Sequence, residues 1–243
     1  GIGARLPRLL EWLAEARPDV VGLQEIKTQT ESFPLAAIEA AGYHVLVHGQ
    51  KGFNGVAILS REPAQEIHRQ LPGDEEDVQS RWIEAQVAGV HFVCLYLPNG
   101  NPVPGPKFDY KLAWMDRMLA RAAELAASEQ PVILAGDWNV AQTDDDVWDR
   151  EYFEGRTHVT PPERAAVQGF LEAGLVDSGL PYAPGYTFWD YTQLRFPKKQ
   201  GMRIDFALCS PALSERVEGA QIDRDERKGK GASDHAPVIV DLD

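Results

Sequence analysis

Three short apolar runs in this chain each have acidic residues at one end, and this repeated pattern limits the folds that the chain can adopt. The segments read VVGLQE at residues 20–25, PVILAGDWN at 131–139 and SDHAPVIV at 233–240. Short runs of Val, Ile and Leu bounded by turn residues are typical of buried strands, and α/β folds place their chemistry in loops just past strand ends. A single strand-end aspartate is most simply explained as the cap of a turn. The three segments together indicate a site for a hard metal ion and a phosphate.

Length and composition indicate a single domain over residues 1–243. The chain is long enough for one large core, and its hydrophobic content of 44% is ordinary for a globular protein. No stretch approaches the roughly 18 to 20 consecutive apolar residues of a membrane span, so no membrane partner is expected. Cys94 and Cys209 each lie inside an apolar run, which favours buried free thiols in a reducing cytoplasm. A single disulfide between them is left open by the sequence.

The net charge of −13 argues against a protein that coats nucleic acid through bulk attraction. It is compatible with a nuclease, because a nuclease metal site itself requires carboxylates. The basic residues form two clusters, and each cluster is either a nucleic-acid contact or a solvated loop. The first contains Arg195, Lys198, Lys199 and Arg203, and the second contains Arg224, Arg227, Lys228 and Lys230.

The spacing of apolar residues predicts an order of helices and strands that defines the fold class. Helices are predicted at 5–16, 33–41, 108–128 and 161–173. Strands are predicted at 20–24, 43–49, 55–60, 81–88, 91–97, 132–136, 186–191, 203–209, 217–222 and 237–242. This order predicts an α/β protein, a four-layered α/β sandwich in which two mixed β-sheets pack face to face and are flanked by helices. P-loop, HExxH and GxSxG motifs are absent, which argues against the commonest NTPases, zinc proteases and serine hydrolases.

Glu25, Asp137 and Asn139 are the first candidates for chemistry. Glu25 ends a strand, where one or two carboxylate oxygens can bind Mg²⁺ while water and a substrate phosphate complete the octahedron. Asp137 and Asn139 are two residues apart, so on an extended backbone both point the same way and can orient a water or hold a phosphate oxygen. Gly136 favours close approach of another group to the backbone. The alternatives are an exposed strand-end glutamate and an Asx turn.

Asp234-His235 and Asp205 are the second group of candidates. A histidine suits donation to a phosphate oxygen at neutral pH when a carboxylate holds its ring and raises its pKa. Asp205 is a charged residue inside the apolar segment MRIDF at 202–206, and a buried aspartate requires a partner. His235 is the natural partner, and a structural pair of Asp205 with Arg203 is the alternative.

Six segments, read together, resemble bacterial exonuclease III, in the nuclease branch of the endonuclease/exonuclease/phosphatase superfamily that is related to apurinic/apyrimidinic endonucleases. The segments are GLQEIKT at 22–28, GVAILS at 55–60, YLPNG at 96–100, KFDYK at 107–111, GDWNV at 136–140 and SDHAP at 233–237. The resemblance covers nearly the whole chain.

The resemblance implies roles for the residues of the metal and phosphate site. Tyr96 would be a phenol near the scissile phosphate. Asp137 would be the base or orienter of the attacking water, and Asn139 would hold the phosphate. Asp205 and His235 would form a dyad on the phosphate. The implied metal ligands are Glu25, Asp137, Asn139, Asp234 and His235, with Mg²⁺ as the ion and Mn²⁺ as a possible substitute.

The resemblance also implies a DNA-binding surface and an activity. Trp189 would line an abasic-site pocket, and the remaining implied DNA contacts are Lys27, Asn99, Lys198, Lys199 and Arg203. The implied activity is Mg²⁺-dependent hydrolysis of DNA phosphodiesters in base excision repair by a cytoplasmic monomer. It combines 3′–5′ exonuclease action on duplex DNA with incision 5′ to abasic sites, so the expected partner is double-stranded DNA with abasic sites or 3′ ends.

Two alternatives remain open. One is a phosphodiesterase of the same fold that acts on RNA or on lipid or inositol head groups, although the segment FWDY at 188–191 and the basic loop after it argue against this. The other is a catalytically weak DNA-lesion binder.

The chain departs from the family pattern in three places. It starts at the Gly-Ile that follows the family's first strand, so a preceding strand with further site residues is expected. Met202 stands where relatives can carry a tryptophan, and the acidic stretch 143–151 has no basic character for DNA contact.

Overall fold

The computed structural model describes all residues 1–243, which form six α-helices and eleven strands. The helices are α1 (Ile2–Ala16), α2 (Leu35–Ala40), α3 (Pro106–Ala127), α4 (Arg150–Phe153), α5 (Pro161–Glu172) and α6 (Pro211–Ser214). The strands are β1 (Val20–Gln24), β2 (His44–His48), β3 (Val56–Ser60), β4 (Gln65–His68), β5 (Trp82–Val87), β6 (Val90–Tyr96), β7 (Val132–Asp137), β8 (Val176–Asp177), β9 (Asp205–Cys209), β10 (Val217–Ile222) and β11 (Val238–Leu242).

Six strands form a mixed sheet in the order β4-β5-β6-β7-β9-β8. β6 and β7 are parallel, and the other neighbours are antiparallel. A parallel pair requires a crossover, which helix α3 supplies, and Pro106 at its start is tolerated because a first-turn residue needs no intrahelical donor. Trp114, Met115 and Met118 of α3 pack with Leu134 and other residues of this sheet to form the main core.

The remaining strands form a second layer on the other face of the six-stranded sheet. β1, β3 and β2 form one antiparallel sheet, and β10 pairs with β11 in another. Val56 and Ile58 of β3 pack with Ile83 of β5 between the layers. Leu13 of α1 and Ile38 of α2 cover the outer face of the second layer. The predicted four-layered α/β sandwich, with helices outside two β-layers, is therefore confirmed.

The second layer differs in one detail from the expected mixed sheet, because it is divided into two antiparallel sheets. β1 pairs only with β3, and β11 pairs only with β10. A groove of about 1040 Å³ lies between these strands, and Phe92, Ile133 and Ala135 of the six-stranded sheet are among the residues that line it. Apolar spacing locates a strand without specifying its lateral neighbours, so the division was not predictable from the pattern.

Three further strand assignments differ from the sequence prediction. The strand predicted at 186–191 is wrong, because Phe188 makes only isolated bridges, to Met202 and His235. Its aromatic residues belong to a connection packed against the site rather than to a ladder. β4 and β8 were not predicted, since β4 is polar and exposed along its length and β8 has only two residues. Such elements carry too little apolar pattern to be recognised.

No helix has both the length and the apolar character needed to cross a membrane. The expectation of buried free thiols is confirmed. Cys94 and Cys209 are buried, and both are free thiols.

A buried charged cluster centred on Glu84 ties the six-stranded sheet to α3. The Glu84 side chain is fully buried and accepts hydrogen bonds from Trp82 Nε1 (2.8 Å), His91 Nε2 (2.7 Å) and both Arg121 Nε and Nη2 (3.0 and 2.7 Å). Burial alone would raise the pKa of Glu84, but these hydrogen bonds lower it to about 2. The ionised carboxylate is thus part of the folded state.

We expect Glu84→Gln to lower the free energy of unfolding by about 3 kcal/mol at pH 7. A fall in the pKa from 4.5 in the unfolded chain to about 2 in the folded protein corresponds to a free energy of this size. Because the folded pKa lies below the unfolded value of 4.5, this stabilisation is complete above pH 4.5 and is lost as the pH falls towards 2. Urea unfolding of both proteins at pH 7 and pH 3 measures it. A deficit that does not shrink at pH 3 would contradict the assignment.

Candidate active site

Three side chains expected in the site stand in a row at one end of the six-stranded sheet. Tyr96 at the end of β6 is in register with Asp137 at the end of β7, and Asp137 is in register with Asp205 at the start of β9. Residues in register on neighbouring strands point to the same face of a sheet. Gly136 permits this pairing, because a Cβ there would overlap the carbonyl oxygen of Leu95. The close approach expected at Gly136 is therefore that of the neighbouring strand β6.

His235 reaches this row from the loop before β11. Its Nδ1 lies 2.7 Å from Asp205 Oδ2, and its Nε2 lies 3.7 Å from Asp137 Oδ2 and 3.9 Å from Asp234 Oδ1. Because a carboxylate accepts, Nδ1 carries a proton that it donates to Asp205. The alternative pair of Asp205 with Arg203 is absent, since Arg203 donates two hydrogen bonds to Asp177.

The electrostatics of the row favour a charged histidine. Burial acts to lower the pKa of His235, but the carboxylates of Asp205, Asp137 and Asp234 hold it well above its usual value. The imidazolium can therefore donate through Nε2 to an anion in front of the row. Burial and the charge of Asp205 raise the pKa of Asp137 well above its usual value, against the opposing effect of His235.

Glu25, Asp137 and His235 each present a ligand atom within one small region. These atoms all lie within 4.8 Å of one another, and Lys27 Nζ is 3.5 Å from Glu25. The carboxylates of Glu25 and Asp137 lie close together, Asp205 lies next to Asp137, and Asp137 is 97% buried. A divalent cation would balance this negative charge, and hard cations prefer oxygen ligands. The residues therefore fit a hard divalent metal ion. Asp234 lies beside this group and not within it.

Hydrogen bonds at its backbone N–H, its backbone carbonyl and its side-chain amide hold Asn139 in place. Its backbone N–H donates to Asp137 Oδ1 (2.9 Å), which is the Asx turn anticipated as an alternative, and its Nδ2 donates to the Leu97 carbonyl (2.7 Å). Its carbonyl accepts from Lys111 Nζ and His158 Nδ1, both at 2.7 Å. Asn139 has a left-handed backbone, with φ of 49°. One amide hydrogen remains available to a phosphate, while the side chain is not part of the compact ligand group.

Tyr96 presents a protonated phenol. Burial and the nearby charges of Glu25 and Asp137 raise the pKa of this phenol above its usual value, so at neutral pH it is a hydrogen-bond donor. The guanidinium of Arg81 lies 4.9 Å from the centre of its ring and donates to the Tyr96 carbonyl at 3.2 Å. Arg81 was not identified from the sequence, because a single arginine at a strand start has no distinguishing pattern.

Four of the six residues expected to contact DNA are on the surface. Lys198 and Lys199 are exposed in the loop after Tyr191, Lys27 is exposed beside Glu25, and Asn99 is exposed in the loop after β6. The geometry leaves all four accessible to a ligand.

The other two expected DNA contacts lie in the interior, and the structure corrects their placement. Arg203 is 3% exposed and forms a buried ion pair with Asp177. Trp189 is 2% exposed and packs on Phe196, so it lines no open pocket. The aromatic ring that faces the site is Phe188, whose centroid lies 5.0 Å from that of His235. The sequence segment FWDY at 188–191 did not show which of its adjacent aromatic side chains faces the site and which faces the interior.

The second basic cluster is partly structural. Arg227 is buried, and it donates to the Trp189 carbonyl through Nε and Nη2. Arg224 lies over the Phe196 ring at 4.2 Å, and Lys228 pairs with Asp225. The arginines of this cluster therefore hold the connection that carries Phe188.

Sequence reasoning also missed a buried polar group behind the site. Lys111 and Glu163 are fully buried and paired, and His158 is buried with Nδ1 on the Asn139 carbonyl. Burial and the charge of Lys111 lower the pKa of His158 to about 4, so the ring is neutral at pH 7. Lys111 lies in the KFDYK segment, which was the one available signal, but a lysine in a helix normally indicates a solvent-exposed face.

The chain matches the Endonuclease/Exonuclease/phosphatase family over residues 2–235, and it belongs to that family. This membership agrees with the resemblance of the six sequence segments.

Individual relatives resemble the chain over its whole length. Exodeoxyribonuclease III of Haemophilus influenzae is 34% identical, and the match covers 100% of this chain and 96% of that protein. The solved structure of the 3′ phosphatase NExo from Neisseria, bound to a product DNA hairpin, is 36% identical with a TM-score of 0.96, covering 100% and 96% of the two chains. An AP endonuclease from Archaeoglobus fulgidus is 32% identical with a TM-score of 0.95 and the same coverage.

We expect Asp137→Asn to lower the rate of phosphodiester cleavage by about 10² to 10⁴ while leaving DNA affinity nearly unchanged. The substitution preserves shape but removes the charge that orients a water. Single-turnover cleavage and equilibrium binding of an abasic duplex measure the two effects. Retention of more than about a tenth of the rate would assign the role to another residue, and the exposed Asp116→Asn is the matched control.

We expect Asp205→Asn and His235→Ala to be strongly non-additive, because Asp205 acts through the ring that it holds. The double variant should lose little more rate than His235→Ala alone. Single-turnover rates of the four proteins of this cycle give the coupling. Losses that multiply would show that the two residues act independently.

Proposed function

We propose that this protein hydrolyses DNA phosphodiester bonds with a divalent metal ion, acting as a 3′–5′ exonuclease on duplex DNA and incising 5′ to abasic sites. Both activities use the one site, and they place the protein in base excision repair. We further propose that it works as a monomeric single domain in the cytoplasm, where its two free thiols stay reduced.

The observation that carries the proposal is the row of Tyr96, Asp137 and Asp205 with His235 and Glu25 in front of it. Phosphoryl transfer requires mainly the positioning of a nucleophile and the neutralisation of developing charge. The row offers a carboxylate for a water and, in the imidazolium, a donor for a phosphate oxygen. Glu25 offers an anchor for a cation.

We assign Mg²⁺ as the ion, held by Glu25 and Asp137 with Asp234 nearby, and Mn²⁺ as a possible substitute. Both ions suit carboxylate oxygens. When bound, the ion supplies charge neutralisation at the phosphate and at the leaving 3′ oxygen.

The side chains of the row divide the remaining work. Asp137 orients the attacking water and accepts its proton. His235 donates from Nε2 to a non-bridging phosphate oxygen, and Asp205 keeps the ring in the required orientation through Nδ1. The free amide hydrogen of Asn139 and the phenol of Tyr96 donate to the same phosphate group.

DNA as the substrate is supported by the relatives and by the surface. The matched proteins are an exodeoxyribonuclease, an AP endonuclease and a 3′ phosphatase bound to a DNA hairpin. Lys198 and Lys199 are exposed on the loop that follows the Phe188 segment, where they can reach a DNA backbone. An abasic nucleotide suits the site, because a sugar without a base is extruded at little stacking cost.

Direct comparison of substrates tests the proposal. Purified protein is incubated, with Mg²⁺ or with EDTA, with an abasic duplex, a duplex with a recessed 3′ end, the matching RNA duplex and an inositol phosphate. We expect Mg²⁺-dependent cleavage of the two DNA substrates and little of the others. Preferred cleavage of RNA or of the inositol phosphate would favour a phosphodiesterase of another specificity, and tight DNA binding without cleavage would favour a lesion binder.

We expect Lys198→Ala with Lys199→Ala to weaken binding to all duplexes similarly and to reduce the slope of log K against log salt by up to about 2. When a lysine no longer contacts a phosphate, binding of the protein releases fewer counterions from the DNA. Binding titrations from low to moderate salt measure the slope. Arg61→Ala with Arg216→Ala is the control. These partly exposed arginines lie near the ends of β1 and β11 that are farther from Glu25 and His235. An unchanged slope in the lysine variant would make these residues ordinary surface groups.

A further inference from the structure

Lys111 carries a positive charge in the interior of the protein. Its side chain is 0% exposed on α3, among the apolar residues with which the helix packs against the sheet. Its ammonium donates to the carbonyl oxygens of Asn139 (2.7 Å) and Asn99 (3.1 Å), to Thr157 Oγ1 (3.1 Å) and to the carboxylate of Glu163. A lysine is almost never fully buried unless it is paired and hydrogen-bonded, so this arrangement requires an explanation.

The two carbonyl groups that Lys111 binds belong to the loops that form the site. Asn139 follows Asp137 at the end of β7, and Asn99 follows Tyr96 by three residues at the end of β6. One ammonium group therefore connects the ends of the two parallel strands whose last residues are Tyr96 and Asp137. Because Nζ binds both carbonyls, it fixes the direction of both peptide planes and limits any movement of one loop against the other.

The bond to Asn139 has the more direct consequence. The backbone of Asn139 is left-handed, a conformation that is uncommon for a residue with a side chain. Hydrogen bonds from Lys111 Nζ and His158 Nδ1 to its carbonyl hold that conformation, and Nδ2 is anchored on the Leu97 carbonyl. The side-chain amide can face the phosphate only while this backbone geometry is maintained.

We propose that Lys111 is a positioning residue for the hydrolysis, which holds Asn139 and the loop after β6 in the geometry that binds the phosphate in the transition state. This role rests on the proposed function. Lys111 touches neither the phosphate nor the row of Asp137 and Asp205, and it acts through the carbonyl groups that it binds.

Stability alone does not account for this lysine. Glu163 already accepts hydrogen bonds from Thr157 Oγ1, the His158 backbone N–H, and the N–H and hydroxyl of Thr160, so the start of α5 is held without it. A buried ion pair is often no more stabilising than a neutral pair of the same volume. What an apolar side chain of similar length lacks is a group that donates to the carbonyls of Asn99 and Asn139 together.

The test is the double variant Lys111→Met with Glu163→Gln, which removes both charges and keeps both volumes. We expect kcat on an abasic duplex to fall about 100-fold, because a small displacement of a positioning group has an effect of this size. KM and the dissociation constant for the duplex should stay within about threefold, since the loss falls on the transition state. Lys111→Gln with native Glu163 is the second variant, and it allows the test to proceed if the double variant does not fold. The same split is expected, because the glutamine amide nitrogen lies one bond short of the position of Lys111 Nζ and cannot reach both carbonyls.

The control is Glu84→Gln with Arg121→Met, a buried ion pair on the same helix and sheet that touches no site residue. Thermal unfolding followed by circular dichroism gives the stability of both double variants. The control should lose stability without losing kcat. An equal fall of kcat in the control would reduce Lys111 to a general structural role and overturn the proposal.

A cycle with Asn139→Ala separates action through Asn139 from action elsewhere. In that background, the loss caused by Lys111→Met with Glu163→Gln should shrink to less than about threefold. Losses that multiply would overturn the proposal, as would a kcat within threefold of wild type in the double variant. If the wild-type protein cleaves no DNA, the proposed function fails. If wild type and double variant cleave DNA at similar rates, only the role of Lys111 fails.

Discussion

Mutual repulsion among carboxylates held together at the end of one sheet determines what this protein can bind. Strand register alone places Asp137 beside Asp205, and the loops after β1 and before β11 bring Glu25 and Asp234 to the same place. His235 offsets part of this charge, yet the pKa of Asp137 still lies well above its usual value because it is buried beside Asp205. A divalent cation in front of the row would relieve this repulsion, and a cation and an imidazolium together attract a phosphate. The same repulsion that costs stability therefore specifies the ligand.

The scaffold around the row is built to resist this repulsion. β6 and β7 are held parallel by α3, and Gly136 lets the two strands approach where a larger residue would collide with Leu95. Buried ion pairs join α3 to β5 through Glu84 and to α5 through Glu163, and only the second pair includes a residue, Lys111, that binds the loops of the site. Rigid elements on both sides of a site fix its groups more closely than mobile loops can. The preorganisation of the site is thus a property of the sheet and helix that carry it.

Much of this arrangement was predictable from the sequence, for identifiable reasons. Glu25 and Asp137 were found because each follows or ends a short apolar run, and Asp205 was found because it is a charged residue inside an apolar segment. The partner of Asp205 was correctly predicted to be His235. What was not predictable depends on contacts across the fold. Arg203 is basic and adjacent to the site in sequence, but Asp177 holds it in the core. Phe188 rather than Trp189 faces His235, because the packing of the connection decides which aromatic turns outward.

The most direct test of the central claim is metal binding to the protein without DNA. Isothermal titration with Mg²⁺ at pH 7 should detect binding that weakens at least about tenfold in Glu25→Gln and in Asp137→Asn, because each removes a charged oxygen ligand. The exposed Asp116→Asn should bind as the wild type does. Equal Mg²⁺ affinity in all four proteins would contradict the claim that the carboxylates at the end of this sheet form the metal site.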